Sequence, residues 1–383
     1  RNTKASAAEL RAYPQYVNPK AYEKLREAKY PQAIPLDLFP EGDARRLEQR
    51  ARSFALPFDL FAEEVRAGFQ KPNLQRWDLM RTLRGAAAPH NPTDGEIVAE
   101  YFGISTDATA AFDEKRLILV ADATVAGQQA VWGETGANWL NAVGNVKSFL
   151  QKTGLEYNEL LGLLDLKFVN PDGDIAIQHD DPSCDTDKKS IQALDAPKLD
   201  RIHRFLRLWR KLESWKMWEL DLVIRPPAIG NGTLDEPFLV HLFHFDQLRE
   251  RLGKKATIEH VCALFGDLNA ETRFTRLHKK REEGLYQDMF LNRRLIQPLD
   301  PAFQIDPGTD DLPAGESITD PNHLPVVLAA LGIRESDLVL DKGLTKASDG
   351  TPYITDDLTL ANLSFLWRHT WLSELLGFKA EEW

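Results

Sequence analysis

The sequence predicts an all-α fold, a degenerate helical-hairpin repeat of solenoid-like character with one small β-hairpin insertion. Three observations favour it: apolar residues recur at helical spacing, helices repeatedly end at a hydrophobic residue plus glycine, and one Asn-Pro-Asp-Gly turn interrupts the pattern. The 383 residues are 43% hydrophobic, enough to bury more than one ordinary core. We expect one continuous body, weakly divided into residues 1–145 and 146–383.

The clearest amphipathic helix begins near Leu199. Its apolar positions follow an i, i+3, i+7 pattern that places a wide apolar stripe on one face: Ile202, Phe205, Leu206, Trp209 and Leu212. Four arginines fall between them: Arg201, Arg204, Arg207 and Arg210. Such a stripe is usually the solvated face of the helix, and we predict that here, with contact to an anionic surface as the alternative.

Helix ends share a common pattern along the chain. A glycine closes five predicted helices, at Gly103, Gly154, Gly253, Gly332 and Gly377, and a hydrophobic residue precedes it at all of them except Gly154. Glycine suits this position because the residue after a helix commonly adopts a left-handed conformation. The spacing indicates an irregular unit of roughly 40–50 residues, the size of a two-helix repeat.

One segment departs from helical character. Residues 167–187 combine a predicted β-hairpin around Asn170–Gly173 with an acidic loop. Its carboxylates are weak candidates for Ca²⁺ ligands: Asp172, Asp174, Asp180, Asp181, Asp185 and Asp187. The order of residues does not continue as an EF-hand loop, so we expect a solvated loop near the basic helix and no metal.

Other catalytic or metal-binding patterns are weak. His241 and His244 share a helical face and, with His260 and Cys262, offer four zinc-ligand types, but the surrounding apolar residues favour partly buried, hydrogen-bonded histidines. The sequence contains no nucleophile elbow, His-Glu-x-x-His motif or phosphate-binding glycine loop. Cys184 and His179 could form a catalytic pair, but we expect them to be two polar loop residues without a catalytic role. We therefore predict no enzyme and no cofactor.

The composition limits the classes of binding partner that we expect for this chain. Lys plus Arg is 47 and Asp plus Glu is 58, so a net charge of −11 disfavours general nucleic-acid or membrane-surface binding. Two cysteines exclude a disulfide framework. No apolar run approaches the ~18 residues of a membrane span, and both chain ends look cut from a longer protein.

Several blocks, in order along the chain, resemble the insecticidal toxin complex (Tc) A subunits, in the helical shell region (virulence plasmid protein A-like). The central blocks are Leu199–Leu212, with Arg201, Phe205 and Trp209, and then Trp218–Asp221. Later blocks are Leu285–Asn292, with Tyr286, then Pro298–Phe303 and Leu358–Ser364, with Asn362. Earlier blocks are Tyr16–Asn18, Ala21-Tyr22, Leu56–Leu60 and Phe168–Pro171. Two departures are the missing glycine before Trp215 and an insertion over Pro40–Ala55.

The resemblance implies a non-catalytic shell segment of a secreted or cell-surface virulence protein. In that family the A subunit is a homopentamer whose shell encloses a translocation channel and opens on a pH change, while separate B and C subunits deliver the toxic enzyme. Its expected partners are the rest of its own A subunit, neighbouring protomers and those subunits, with no nucleic acid and no membrane span in this segment. A free-standing helical-repeat scaffold for protein binding is the main alternative, and a metal-dependent hydrolase on the acidic loop is the weaker one.

Overall fold

A computed structural model describes residues 60–70, 72–85, 91–105, 113–179, 181–212, 214–275, 280–293, 296–306, 311–338 and 354–377. These are mostly α-helical. The helices are α1 (Leu60–Gln70), α2 (Arg76–Thr82), α3 (Asp94–Tyr101), α4 (Glu114–Leu119), α5 (Val125–Trp132), α6 (Trp139–Gly144), α7 (Val146–Thr153), α8 (Tyr157–Leu164), α9 (Ala196–Lys211), α10 (Met217–Ile224), α11 (Glu236–Leu252), α12 (Ile258–Ala263), α13 (Leu285–Phe290), α14 (Leu324–Leu331) and α15 (Leu360–Leu376). Short 3₁₀ turns occur at Thr186–Lys188, Gly253–Lys255 and Pro301–Phe303.

Two small antiparallel pairs interrupt the helices. β1 (Ile177–His179) pairs with β2 (Lys189–Ile191), and β3 (Arg273–Thr275) pairs with β4 (Lys280–Glu282). Among the helices described here, none is both long and apolar enough to cross a membrane.

The chain forms two compact units. Unit 1 holds the described residues up to Ile224 together with Gly232–Phe243, and unit 2 holds Arg225–Asn231 and the described residues from His244 onward. In unit 1, α9 packs against α4 and α5, and α8 packs against α10. In unit 2, α14 packs against both α13 and α15. The division of the sequence at residue 145 stays a prediction.

The helix-ending glycines adopt the predicted conformation. All five have a positive φ, between 65° at Gly103 and 71° at Gly377. At the ends of α7, α14 and α15 the glycine itself is the left-handed cap. Gly133, which the sequence analysis missed, caps α5 in the same way, so the interval between capping glycines is less regular than a simple repeat requires.

The predicted β-hairpin around Asn170–Gly173 is wrong in its pairing. The chain does turn there, with Gly173 at a φ of +68°, but residues 167–169 form a turn and the strand at Ile177 pairs with Ile191 across the acidic loop. Two side chains explain this. The backbone N–H of Phe168 donates to the buried carboxylate of Asp221 at 2.8 Å, and Asn170 Nδ2 donates to two carbonyls. Backbone groups that a β-hairpin would pair between its strands are therefore used by side chains.

Candidate functional site: a charge network on helix α9

Helix α9 is positioned by a strong start signal and a buried apolar stripe. Asp195 accepts a hydrogen bond from Lys198 N at 2.7 Å, and a proline occupies the first turn. The predicted apolar face is buried, and Phe205 stacks on Phe168 with ring centres 6.0 Å apart. Half of the prediction for this helix is therefore confirmed.

The other half is wrong, because the basic side of α9 is not the solvated face. Arg204 is 7% exposed and Arg207 is 6% exposed, and Asp200 and His203 on the same helix are buried with them. Burying charged side chains is costly unless each finds hydrogen-bond partners. The helices around α9 supply those partners from their own C-terminal ends.

Arg204 binds the end of α4. Its Nε donates to Ile118 O at 2.8 Å, and its Nη2 donates to Leu119 O at 3.3 Å and also to Leu234 O. The last carbonyls of a helix have no partner inside that helix and carry partial negative charge. A guanidinium placed there satisfies several carbonyls at once, and Asp200, 3.4 Å from Arg204 Nη1, balances its charge.

Two further cations on α9 do the same for neighbouring helices. Lys211 Nζ donates to Gly103 O at 2.9 Å, just beyond the end of α3, and pairs with Glu114 at 2.8 Å. Arg210 donates to Thr153 O, the last residue of α7. The basic stripe thus caps the C-terminal ends of α3, α4 and α7, and we call Asp200, His203, Arg204, Arg207, Arg210, Lys211 and Glu114 the α9 network.

Two buried carboxylates complete the α9 network. Glu114 accepts from Ser105 N at 2.9 Å, which ties the end of the turn after α3 to α4. Asp200 accepts from Asp122 N at 3.0 Å and so holds the segment leading to α5. Each carboxylate therefore joins a backbone N–H to a cation of α9, the kind of charge-assisted pairing that compensates for burial.

His203 and Arg207 form the most deeply buried pair of the network. Arg207 Nε donates to His203 Nε2 at 2.5 Å. Burial, and then the charges of Arg207 and Arg204, hold the pKa of His203 well below its ordinary value. Burial also lowers the pKa of Arg207, to about 10, against the opposing effect of Glu114.

The sequence analysis missed Glu114, Asp200, His203 and Lys211 as members of one cluster. The four arginines are spaced three residues apart, so they wind around α9 and do not share one face. That winding is a signal that the helix is surrounded by others. The partners themselves leave no signal, because they are mostly backbone carbonyls.

The acidic loop has structural partners for some of its carboxylates. Asp174 pairs with Lys198 on α9 at 2.5 Å, and this hydrogen bond lowers the pKa of Asp174. Asp181 accepts from Ser183 N and Oγ, which lowers its pKa. Asp172 is exposed, and Asp180 lies outside the described residues. Asp174 thus contacts α9 at Lys198, and the position of the following loop beside Arg201–Lys211 stays a prediction.

The histidine prediction is partly wrong. His241 and His244 lie on α11 as expected, but both are exposed and not partly buried, because the apolar side of the helix faces elsewhere. The ring of His260 lies tilted against Trp367 and Trp371, with ring centres 5.8 and 5.5 Å away, and Cys262 is buried. Within the described ranges, no three His, Cys, Asp or Glu side chains are placed to hold a metal ion.

The residues that carry the family resemblance contribute to packing and to hydrogen bonds within the chain. Trp209 Nε1 donates to Trp215 O at 2.8 Å, Trp218 lies under the ammonium of Lys216, and Asn362 Nδ2 donates to Asp357 O at 2.8 Å.

In unit 2, Tyr286 is fully buried and its hydroxyl donates to Phe303 O at 2.9 Å, while Asn292 O accepts from Ile296 N. Arg201 is half-buried, and its Nε has no hydrogen-bond partner among the described residues. The blocks before Leu60 lie outside the described residues.

Comparison with known proteins adds no relative to this picture. None of the protein-family models matches the chain, and no curated protein matches it significantly.

Proposed function

We propose that this chain is a non-catalytic structural segment of the helical shell of a Tc toxin A subunit. In that role it encloses the translocation channel together with neighbouring protomers, and the shell opens on a pH change. The solenoid-like repeat of helical hairpins is part of the same proposal, since a curved stack of helix pairs suits a wall around a channel.

One observation supports the proposal: several described residues of the resemblance blocks tie parts of this chain together. Asp221 holds the turn at Phe168, Tyr286 holds the turn at Phe303, and the block on α9 contains the arginine that caps α4. A shell segment needs side chains of this kind, because its task is to keep a shape.

The test uses the complete product of the reading frame that contains this sequence. Mass photometry should give five times the protomer mass, and cryo-electron microscopy should place this segment in the wall around a central channel. A monomeric product without a channel-forming region would contradict the proposal and leave the free-standing binding scaffold in its place.

A second test separates the two roles by position. Of the two cysteines in this sequence, Cys184 is exposed and Cys262 is buried, so a maleimide label reaches Cys184, and loss of the signal in Cys184→Ser identifies it in the complete product. In the assembled particle the label should appear in the wall at one site per protomer. Five-fold related labels on the central axis would contradict a shell position.

A further inference from the structure

The middle of α9 contains a histidine that the fold requires to be neutral. His203 is 2% exposed, and its Nε2 accepts the hydrogen bond from Arg207 Nε. The Nε of a guanidinium always carries hydrogen, so Nε2 of His203 must present its lone pair. The proton of the neutral ring is therefore on Nδ1.

The charges around this ring are mostly positive. On α9 itself, Arg207 and Arg204 both act against a charged imidazole. Glu114, from α4, is attracted to Arg207 and Lys211, and Asp200 pairs with Arg204. From the segment before α5, Asp122 contributes its backbone N–H to Asp200.

We propose that His203 is an acid-labile lock of unit 1: uptake of one proton at its Nε2 displaces the Arg207 N–H and releases the neighbouring helix ends from α9. The protonated ring has no lone pair left at Nε2, so the Arg207 Nε–H faces another N–H at hydrogen-bond distance. His203 and Arg207 are both buried on α9, so relief requires water to reach this part of the helix. Arg204, Arg210 and Lys211 on the same helix hold the ends of α4, α7 and α3. This lock depends on contacts within unit 1 and holds whether or not the chain is a toxin shell segment.

The direction of the pH dependence follows from which form of the chain binds the proton. The pKa of His203 in the folded chain is depressed below its ordinary value of 6.5. Below that pH the opened chain takes up a proton that the closed chain does not, so the closed form loses stability as the pH falls. The ratio of open to closed unit 1 rises by up to ~10-fold per pH unit until the folded pKa is reached.

Hydrogen exchange read by mass spectrometry between pH 7.5 and 5.5 tests the lock in the full chain, after correction for intrinsic exchange. In the wild type, protection over residues 196–211 should fall by ~10-fold from pH 7.5 to 5.5. In His203→Gln that dependence should vanish, because the amide oxygen accepts from Arg207 and does not titrate. His241→Gln, at an exposed histidine, should behave as the wild type.

A wild-type profile that is flat over residues 196–211, or an unchanged pH dependence in His203→Gln, would overturn the proposal. Diethyl pyrocarbonate labelling of the wild type gives a readout even where that variant fails to fold. The label on His203, divided by the label on exposed His241, should rise as the pH falls below 6.5. A ratio that stays constant with pH overturns the lock equally.

Discussion

Different interactions stabilise the interior of each unit. In unit 1, charged side chains on α9 satisfy the ends of three helices, with Arg204 donating to three carbonyls. In unit 2, an apolar core contains a run of stacked rings: Phe290 and Phe303 lie 5.7 Å apart and nearly parallel, and Tyr286 stacks on Phe290.

The difference has energetic consequences. Removing one member of a buried charge network leaves its partners desolvated and unpaired, which costs more than the network's net contribution to stability. Changes inside an apolar core cost in proportion to the volume lost or the overlap created. We therefore expect single substitutions in unit 1 to act more abruptly than substitutions of similar size in unit 2.

The largest effect is expected at Arg204. Arg204→Met keeps most of the side-chain volume but leaves three buried carbonyls and the Asp200 carboxylate without their cation. The free energy of unfolding should fall by about 3–5 kcal/mol, measured by urea denaturation. Arg201→Met on the same helix is the matched control and should change it by less than about 1 kcal/mol. Equal effects at the two positions would remove the distinction between capping and non-capping arginines.

A glycine in unit 2 tests close packing without charge. A Cβ at Gly284 would lie 2.4 Å from Asn269 O and 2.8 Å from Glu271 O, both backbone atoms. Gly284→Ala should therefore destabilise by about 1–3 kcal/mol. Gly162→Ala, inside α8 with open space around it, should stabilise by about 0.5–1 kcal/mol. Thermal unfolding of both variants measures the contrast, and a neutral Gly284→Ala would contradict the close approach.

A smaller effect is expected from the hydroxyl group of Tyr286 in the core of unit 2. Tyr286→Phe removes the hydroxyl that donates to Phe303 O and leaves the stacking on Phe290 in place. The loss should be about 1–2 kcal/mol in urea denaturation, the cost of one unsatisfied buried carbonyl. Tyr157→Phe, in unit 1, is the control, since its ring packs on Lys189. Losses of the same size at both tyrosines would count against the Phe303 contact.

The smallest effect is expected in the acidic loop. Among the described residues, Asp181 accepts hydrogen bonds from Ser183 of its own loop, so Asp181→Asn should shift the free energy of unfolding by less than about 0.5 kcal/mol. Calcium and chelator should leave the melting temperature unchanged. A calcium-dependent rise, worth ~2.7 kcal/mol at a hundredfold excess over the dissociation constant, would reinstate the loop as a metal site.

The sequence predicted what local rules determine. The helical spacing, the capping glycines at Gly154 and Gly332 and the turn at Asn170 all depend on neighbours in the chain. Two predictions failed where a distant group decides. Asp221 accepts the hydrogen bond of the Phe168 N–H, which a hairpin at that position would need. The carbonyls of Ile118 and Leu119 accept from the guanidinium of Arg204, which the sequence analysis placed on the solvated face.

The most direct test of this account is native-state hydrogen exchange of Arg204→Met against the wild type at pH 7.5. If the α9 network holds the helix ends, exchange should accelerate over residues 114–119 and 196–211, while residues 285–290 and 324–331 keep their protection. Unchanged exchange over residues 114–119 would show that Arg204 does not hold the end of α4. Equal acceleration over residues 285–290 would show that the two cores are not separately stabilised.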